Sequence, residues 1–340
     1  MSPDRPSGDY LFDKSGPPDP EVARLEELLA PLAHDGRPLS LPAEPIELHR
    51  RRRPFRLALQ MAAALSALAA GLATYLLLRA PSWSVEVTDG TARIGTSDVH
   101  GRARLRSGQE IATGDAGRAV LRVKTVGEVE LGPSSVLRVV EARATDHRLS
   151  LQRGRLLARI WAPPRLFTID TPSATAVDLG CIYALNVDDD GNGELSVKVG
   201  WVAFVANGRE SFVPAAASAE TRRGAGPGTP RFDDAPQSFK AALRAVDYGP
   251  AEQHAEAFGA VLAASRDRDA LTLWHLLSRV SGDERERVYA RLTAAVPPPP
   301  GVTREGILAG DRRMLDTWWN ALGLGTATWW RLWRQSPPTT

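Results

Sequence analysis

Cysteine is almost absent. Cys181 alone serves a chain of 340 residues, so no intrachain disulfide can form and no cysteine-based zinc site can be assembled. Any exported part must hold itself together by packing. Net charge is nearly absent too. The 42 Lys and Arg against 40 Asp and Glu leave +2, without the global basicity that marks a nucleic-acid partner, and no direct nucleic-acid contact is expected. Catalytic patterns are also missing. His34, His49, His100, His147, His254 and His275 fall in unrelated contexts, Cys181 reads as mid-strand, and no serine elbow, Walker loop or metal-spaced cluster appears. The glycines of "RRGAGPG" follow no strand and open no helix, which makes them linker rather than phosphate cradle. Neither enzyme activity nor a cofactor is expected.

What is present begins with a long uncharged run. "LALQMAAALSALAAGLATYLLL", Leu57 to Leu78, holds 22 residues, and at about 1.5 Å per residue its helix reaches about 33 Å, enough for a hydrocarbon core of about 30 Å. A single transmembrane helix is expected over 57–78. A secretory signal has an apolar stretch of about 7–15 residues close to its start, whereas more than fifty residues come first here. A buried core helix would carry a polar face, and this run offers Gln60, Ser66 and Thr74 alone. "HRRRRPFR" places Arg50, Arg51, Arg52, Arg53 and Arg56 just before the run, against Arg79 and Arg93 after it. By the positive-inside rule, 1–56 is then cytoplasmic and everything after the run is exported. Beside a membrane span, topology and anionic lipid explain these arginines more economically than nucleic acid does. Ala63, Ala67 and Gly71 have helix-dimer spacing, but so alanine-rich a run produces such a ridge by chance.

The tail carries its own helix signals. In "PPDPEVARLEELLAPL", Asp19 is a good N-cap, Pro20 fits the first helical position and Glu21 suits the positive end of the dipole. A short amphipathic helix is expected over 20–30, stopped by Pro31. Val22, Leu25, Leu28, Leu29 and Leu32 form one apolar stripe opposite Arg24, Glu26 and Glu27. About eleven residues are too few for a stable free helix, and the Pro-rich "AHDGRPLSLPAEPIEL" has little to cover the stripe with. The helix is either a docking element that orders on a partner or a segment lying on the membrane. Asp9, Asp13, Asp19, Glu21, Glu26 and Glu27 repel anionic lipid, which favours a protein partner.

From about Trp83 to Val213 the chain turns to short alternating runs, "RARLR", "AVLRVK", "EVEL", "VLRVV", "RLSL" and "LLARI", punctuated by glycines. Period-two alternation with frequent turns predicts an all-β domain of antiparallel or coiled strands over 83–213. Residues 214–236, rich in Gly, Pro and Ala, read as a linker. Residues 237–335 read as a small α-helical domain. Ser281 and Glu284 are placed as a capping box for "GDERERVYARLTAAV", Asp267 or Asp269 starts "ALTLWHLLSRV", and Pro297 to Pro300 form a stiff spacer. Trp274, Leu277, Trp318 and Trp319 have core spacing, and the helix pairs hint at an α-solenoid fragment. In "TWWRLWRQ", Trp329, Trp330 and Trp333 interleave with Arg331 and Arg334. That segment either folds back onto the helical domain or lies on a membrane surface, the first being the ordinary case.

The stretch from "GRARLRSGQEIATGDAGRAVLRVKTVGEVELGPSSVLRVV" through "LSLQRGRLLARI" to "FTIDTPSATAVDLGCIYALNVDDDGNGELSVKVGWVAFV" resembles, over about residues 93–218, the FecR-like domain of membrane-bound regulators of extracytoplasmic-function sigma factors. The resemblance implies a cytoplasmic tail that holds or modulates a sigma factor, one inner-membrane span and a periplasmic β domain that receives a signal, with a periplasmic or outer-membrane protein as a further partner. The tail departs from the zinc-binding pattern of many anti-sigma tails, since it has no cysteine, so any sigma contact is zinc-free. The helical region after 236 departs from the iron-uptake members and sets that role aside.

"DDDGNG" has two readings. Asp188, Asp190, Asn192 and Gly193 sit where the first half of an EF-hand puts its oxygens and turn glycine. However, the closing position is Val199, and the flanks alternate as strands, so a hairpin turn is the better reading, with weak calcium binding as the alternative. The chain is thus expected to be a single-pass signal transducer of anti-sigma type. The alternative is a membrane-anchored envelope scaffold with no sigma partner.

Overall fold

The computed structural model describes residues 19–32, 36, 53–78, 82–123, 125–143 and 146–325. Two units divide the chain, Met1–Ala70 and Gly71–Thr340. Helix α1 (Pro20–Leu29) runs into a 3-10 turn over Ala30–Leu32, where Pro31 cannot continue an α-helix. Helix α2 (Arg53–Leu78) begins one turn before the apolar run. Its side chains are described for 59–71, all exposed. Among the described residues no helix is long and apolar enough to cross a membrane, so the span expected over Leu57 to Leu78 rests on the sequence.

The second unit opens with strands β1 (Trp83–Asp89), β2 (Ala92–Ile94), β3 (Ser97–Val99), β4 (Arg102–Leu105), β5 (Glu110–Thr113), β6 (Arg118–Val123), β7 (Gly127–Leu131), β8 (Val136–Arg143) and β9 (Asp146–Ile160). It continues with β10 (Phe167–Asp170), β11 (Thr175–Asp178), β12 (Ile182–Val187), β13 (Gly193–Val199), β14 (Trp201–Ala206), β15 (Arg209–Pro214), β16 (Ala217–Arg222), β17 (Gly226–Pro227) and β18 (Arg231–Phe232). One sheet has the order β4-β1-β6-β7-β9-β12-β13-β16, with β17 and β18 on β16. The other runs β3-β2-β5-β8-β9-β10-β11-β14-β15. All pairings are antiparallel except β9 with β10.

Strand β9 belongs to both sheets, and its burial pattern explains how. His147, Leu149 and Leu151 point inward, then the phase slips by one and Leu156, Ala158 and Ile160 do. A one-residue slip exchanges the faces of a strand, so the first half lines one sheet's inner face and the second half the other's. Gly154 sits at the switch with φ +94°, where a Cβ would overlap Ser135. Ser135 is buried and pins the corner, accepting the Arg155 N–H at 2.9 Å and donating its own N–H to Thr113 Oγ1 at 2.9 Å. The alternation leaves charges outside. Across β4, β1, β6, β7 and β9 runs a chain of ion pairs, Arg102–Glu86 at 3.6 Å, Glu86–Arg122 at 2.8 Å, Arg122–Glu128 at 2.6 Å and Glu128–Arg159 at 3.2 Å. Exposed pairs of this kind contribute little stability each.

The linker expected over 214–236 is not a linker. Residues 217–222 pair with β13 over the register Gly193↔Thr221 to Val197↔Ala217. Ala217, Ala219 and Thr221 point inward and are buried. Small residues at alternate positions are strand chemistry where the neighbouring layer comes close, a pattern that composition alone counts as flexible. The β domain therefore reaches Phe232.

Helices α3 (Gln237–Tyr248), α4 (Ala251–Ala264), α5 (Ala270–Leu277), α6 (Gly282–Ala295), α7 (Arg304–Leu308) and α8 (Arg312–Ala321) follow. Every residue of α5 is buried, and its two polar side chains, Thr272 and His275, are hydrogen-bonded there. Trp274, Leu277, Trp318 and Trp319 are in the core as expected. Two start signals work differently from expectation. Ser281 is the N-cap of α6, but its side chain makes no capping bond, and Glu284, whose carboxylate would complete the box, is turned to His254 Nε2 at 3.1 Å. Asp269 precedes α5 without capping it and accepts the Arg266 N–H at 2.8 Å. The Trp-rich segment with Trp329, Trp330, Arg331, Trp333 and Arg334 lies outside the described residues, as do Asp9, Asp13, His34, His49, Arg50, Arg51 and Arg52.

Candidate functional site

Helix α1 is built as its sequence demands. Asp19 Oδ1 accepts the Glu21 N–H at 2.8 Å, and Pro20 opens the helix. No residue of α1 is buried. The stripe is open: Leu25, Leu28, Leu29 and Leu32 are 57 to 80% exposed, and Val22 is half-buried. Single exposed leucines are ordinary on protein surfaces, whereas four on one face of three turns form a contiguous apolar patch. On α2, Leu59, Met61, Leu65 and Leu68 are exposed as well. Arg53 and Arg56 fall in the first turns of α2, their side chains outside the described residues.

The "DDDGNG" residues form the tip of the β12–β13 hairpin. Asp188 N–H donates to Asn192 O at 2.8 Å, and Gly191, at φ +83°, donates to Asp188 O at 3.1 Å. The Asp188 carboxylate accepts the Asn192 backbone N–H at 2.8 Å and the Asn192 side-chain amide at 3.1 Å. Desolvation works to raise its pKa, but the Asn192 side chain and the backbone N–H groups of Asn192, Asp190 and Gly191 outweigh it and hold Asp188 below the usual carboxylate range. Asn192 Oδ1 also accepts from Arg223 N at 3.3 Å, and Asp189 pairs with Arg153 at 3.3 Å. The carboxylate oxygen that a calcium loop would spend on metal is here spent on the turn itself. Gly193 begins β13 and leaves room for Asn186 O.

Cys181 lies one residue before β12 rather than within a strand. Its thiol donates to Asp178 Oδ2 at 2.6 Å, and Gly180 N–H donates to Asp178 Oδ1 at 2.7 Å. Burial pushes Asp178 up to about 7 against these two bonds, and pushes the thiol far above its ordinary value. Neighbouring Tyr183 is fully buried, its hydroxyl without a partner among the described residues.

A second polar group joins the helices to the sheet. Phe212 N–H donates to His275 Nε2 at 3.0 Å, leaving Nδ1 to donate to Leu271 O at 2.8 Å. Burial and the nearby Arg279 charge take His275 down to about 3, so it is neutral. Asp247 accepts from Thr229 N at 2.6 Å and from Arg209 Nη2 at 2.7 Å, with Arg279 Nη1 at 3.5 Å. None of these residues stands out in the sequence, since up to 63 positions separate the partners and no motif spaces them.

The fold is a two-sheet β domain extended by a packed helical region. Residues 109–203, from β5 into β14, match the family model described as FecR protein, so the β domain carries a FecR-like region. Among solved structures, two crystal structures of a candidate anti-sigma factor from Parabacteroides distasonis are similar at 18% identity, with 40% of this chain and 64% of that one covered and a TM-score of 0.33. The chain thus spans less than two thirds of their length, and the family match rests on residues 109–203. No curated protein matches the chain.

Proposed function

We propose that the chain is a single-pass inner-membrane regulator that passes an envelope signal to a cytoplasmic sigma factor, with 1–56 inside, 57–78 across the membrane and the FecR-carrying region in the periplasm. The observation that carries this reading is α1: a capped helix whose leucines have nothing to cover them among the described residues. A helix of ten residues does not persist alone in water, and each leucine left exposed forgoes about 1.5–3 kcal/mol relative to full burial. Such an element makes physical sense against a partner's groove, read through positions spaced three and four apart. The arginines at 50–53 and 56 and the uncharged run support the orientation. The absence of cysteine from 1–56 makes the contact zinc-free.

The test is docking. Residues 1–48 alone should show little helical circular dichroism, and adding the cognate sigma factor should raise it. Leu25→Asp with Leu28→Asp should cost several kcal/mol of binding, since each buried leucine is worth about 1.5–3 kcal/mol and a carboxylate buried unpaired adds a penalty. If the double variant left co-purification and sigma-dependent transcription untouched, the stripe would not be the docking surface, and an anchored scaffold would be the better reading.

A further inference from the structure

Between the tip of the β14–β15 hairpin and the last helices lies an open cleft of about 550 Å³, within the range of small-molecule sites. Part of its floor is apolar, where the nearly buried Phe212, Trp274 and Leu315 reach the cleft. Its walls are cationic. Arg209 comes from the hairpin, Arg279 follows α5, and Arg312 opens α8. The acids in the lining are Asp247 and Glu210, so three guanidinium groups face two carboxylates.

The geometry sharpens that imbalance. The Asp247 side chain is only 5% exposed and already serves Arg209, Arg279 and Thr229. Arg279, with its side chain 8% exposed, donates to Thr229 Oγ1 at 2.8 Å, Ser211 Oγ at 2.7 Å and Glu210 O at 3.0 Å, but its Nε has no partner among the described residues. Burial takes its pKa down to about 10, the mark of a charge that the fold compensates incompletely. Because its terminal N–H groups are already engaged, Arg279 contributes field, and direct contact falls to the half-exposed Arg209 and the exposed Arg312. His275, also in the wall, has both ring nitrogens engaged and is neutral, so it supplies surface and no charge.

We infer that this cleft binds a small organic anion, a carboxylate carried on an apolar or ring framework. The framework lies on Phe212 and Trp274, and the carboxylate meets the forks of Arg209 and Arg312, the planar geometry that suits guanidinium. A cation excess of one matches a monoanion. Its lining is drawn from residues 207–315 and includes none of α1, so the assignment holds or fails independently of sigma docking.

The experiment uses the purified full chain in detergent micelles, with equilibrium dialysis of 1-naphthoate against empty micelles and 1-naphthamide as the uncharged isostere. The expected result is saturable binding of one 1-naphthoate per chain, weakened at least tenfold for 1-naphthamide and at least tenfold by Arg312→Gln. Arg312 is exposed and pairs with no buried group among the described residues, so this variant is expected to keep the fold, as unchanged circular dichroism would verify. Arg209→Gln should weaken binding comparably. No saturable uptake above the micelles, equal binding of the amide, or undiminished affinity in Arg312→Gln would each overturn the assignment.

Discussion

At the scale of single residues, Asp178 is the position where burial overrides everything else. Its carboxyl is 1% exposed and receives two hydrogen bonds, from Gly180 N–H and the Cys181 thiol, neither from a charged group. Desolvation therefore wins, and the folded value rises from 3.8 to about 7. The fold thus binds a proton that the unfolded chain has released. The resulting stability is complete below about pH 3.8 and lost as pH rises through about 7, at roughly 1.4 kcal/mol per unit across the window. Cys181 and Tyr183, the titratable groups beside it, are pushed far above this range and do not contribute. His147 works with opposite sign: burial lowers its pKa, so its share is lost as pH falls. The difference between wild type and Asp178→Asn isolates the carboxyl. Denaturant unfolding should show the wild type losing stability relative to the variant between pH 5 and 8, by a few kcal/mol in total, and parallel pH profiles would refute the assignment. Nothing in "TAVDLGC" announced this pair, because an aspartate at a strand end ordinarily faces water and only the tertiary packing covers it.

At the scale of elements, the legible features were those fixed by local chemistry. The cap of α1, its stop at Pro31, the alternation of the strands and the "DDDGNG" tip all follow from residues within a few positions of one another. The hairpin gives a clean test. Asp188 is committed to Asn192, so the melting temperature should be insensitive to millimolar calcium both in the unmodified chain and after Asp188→Ser with Asp190→Ser. A calcium-dependent rise of several degrees that vanished in the double variant would show a metal site, since a ligand of the folded state raises apparent stability. The illegible features were set by distant partners. Strands β16 to β18 passed for linker because Ala, Gly and Pro signal flexibility until a neighbour at van der Waals distance needs small side chains. The switch of β9 between sheets left one trace, the slip of the apolar phase around Gly154. Ser281 and Glu284 matched a capping box in sequence, yet His254, thirty residues earlier than Glu284, drew the glutamate away. The arginines around Asp247 left no trace at all.

At the scale of the whole molecule, the helical region is bound to the β domain by buried polar links as well as by core. Phe212 to His275, Thr272 to Pro230 at 2.8 Å, and Asp247 to Arg209 tie strand, loop and helix together. On the proposed reading, these links would carry a signal received by one part to the other. How it would reach the tail depends on the chain crossing a membrane once, with α1 on one side and the FecR domain on the other. The most direct test is a pair of fusions to a reporter active only in the periplasm, one after Glu47 and one after Ser82. Activity after Ser82 with silence after Glu47 is the expected result; activity after Glu47 with silence after Ser82 would place α1 outside the cell and contradict the regulator reading along with the orientation.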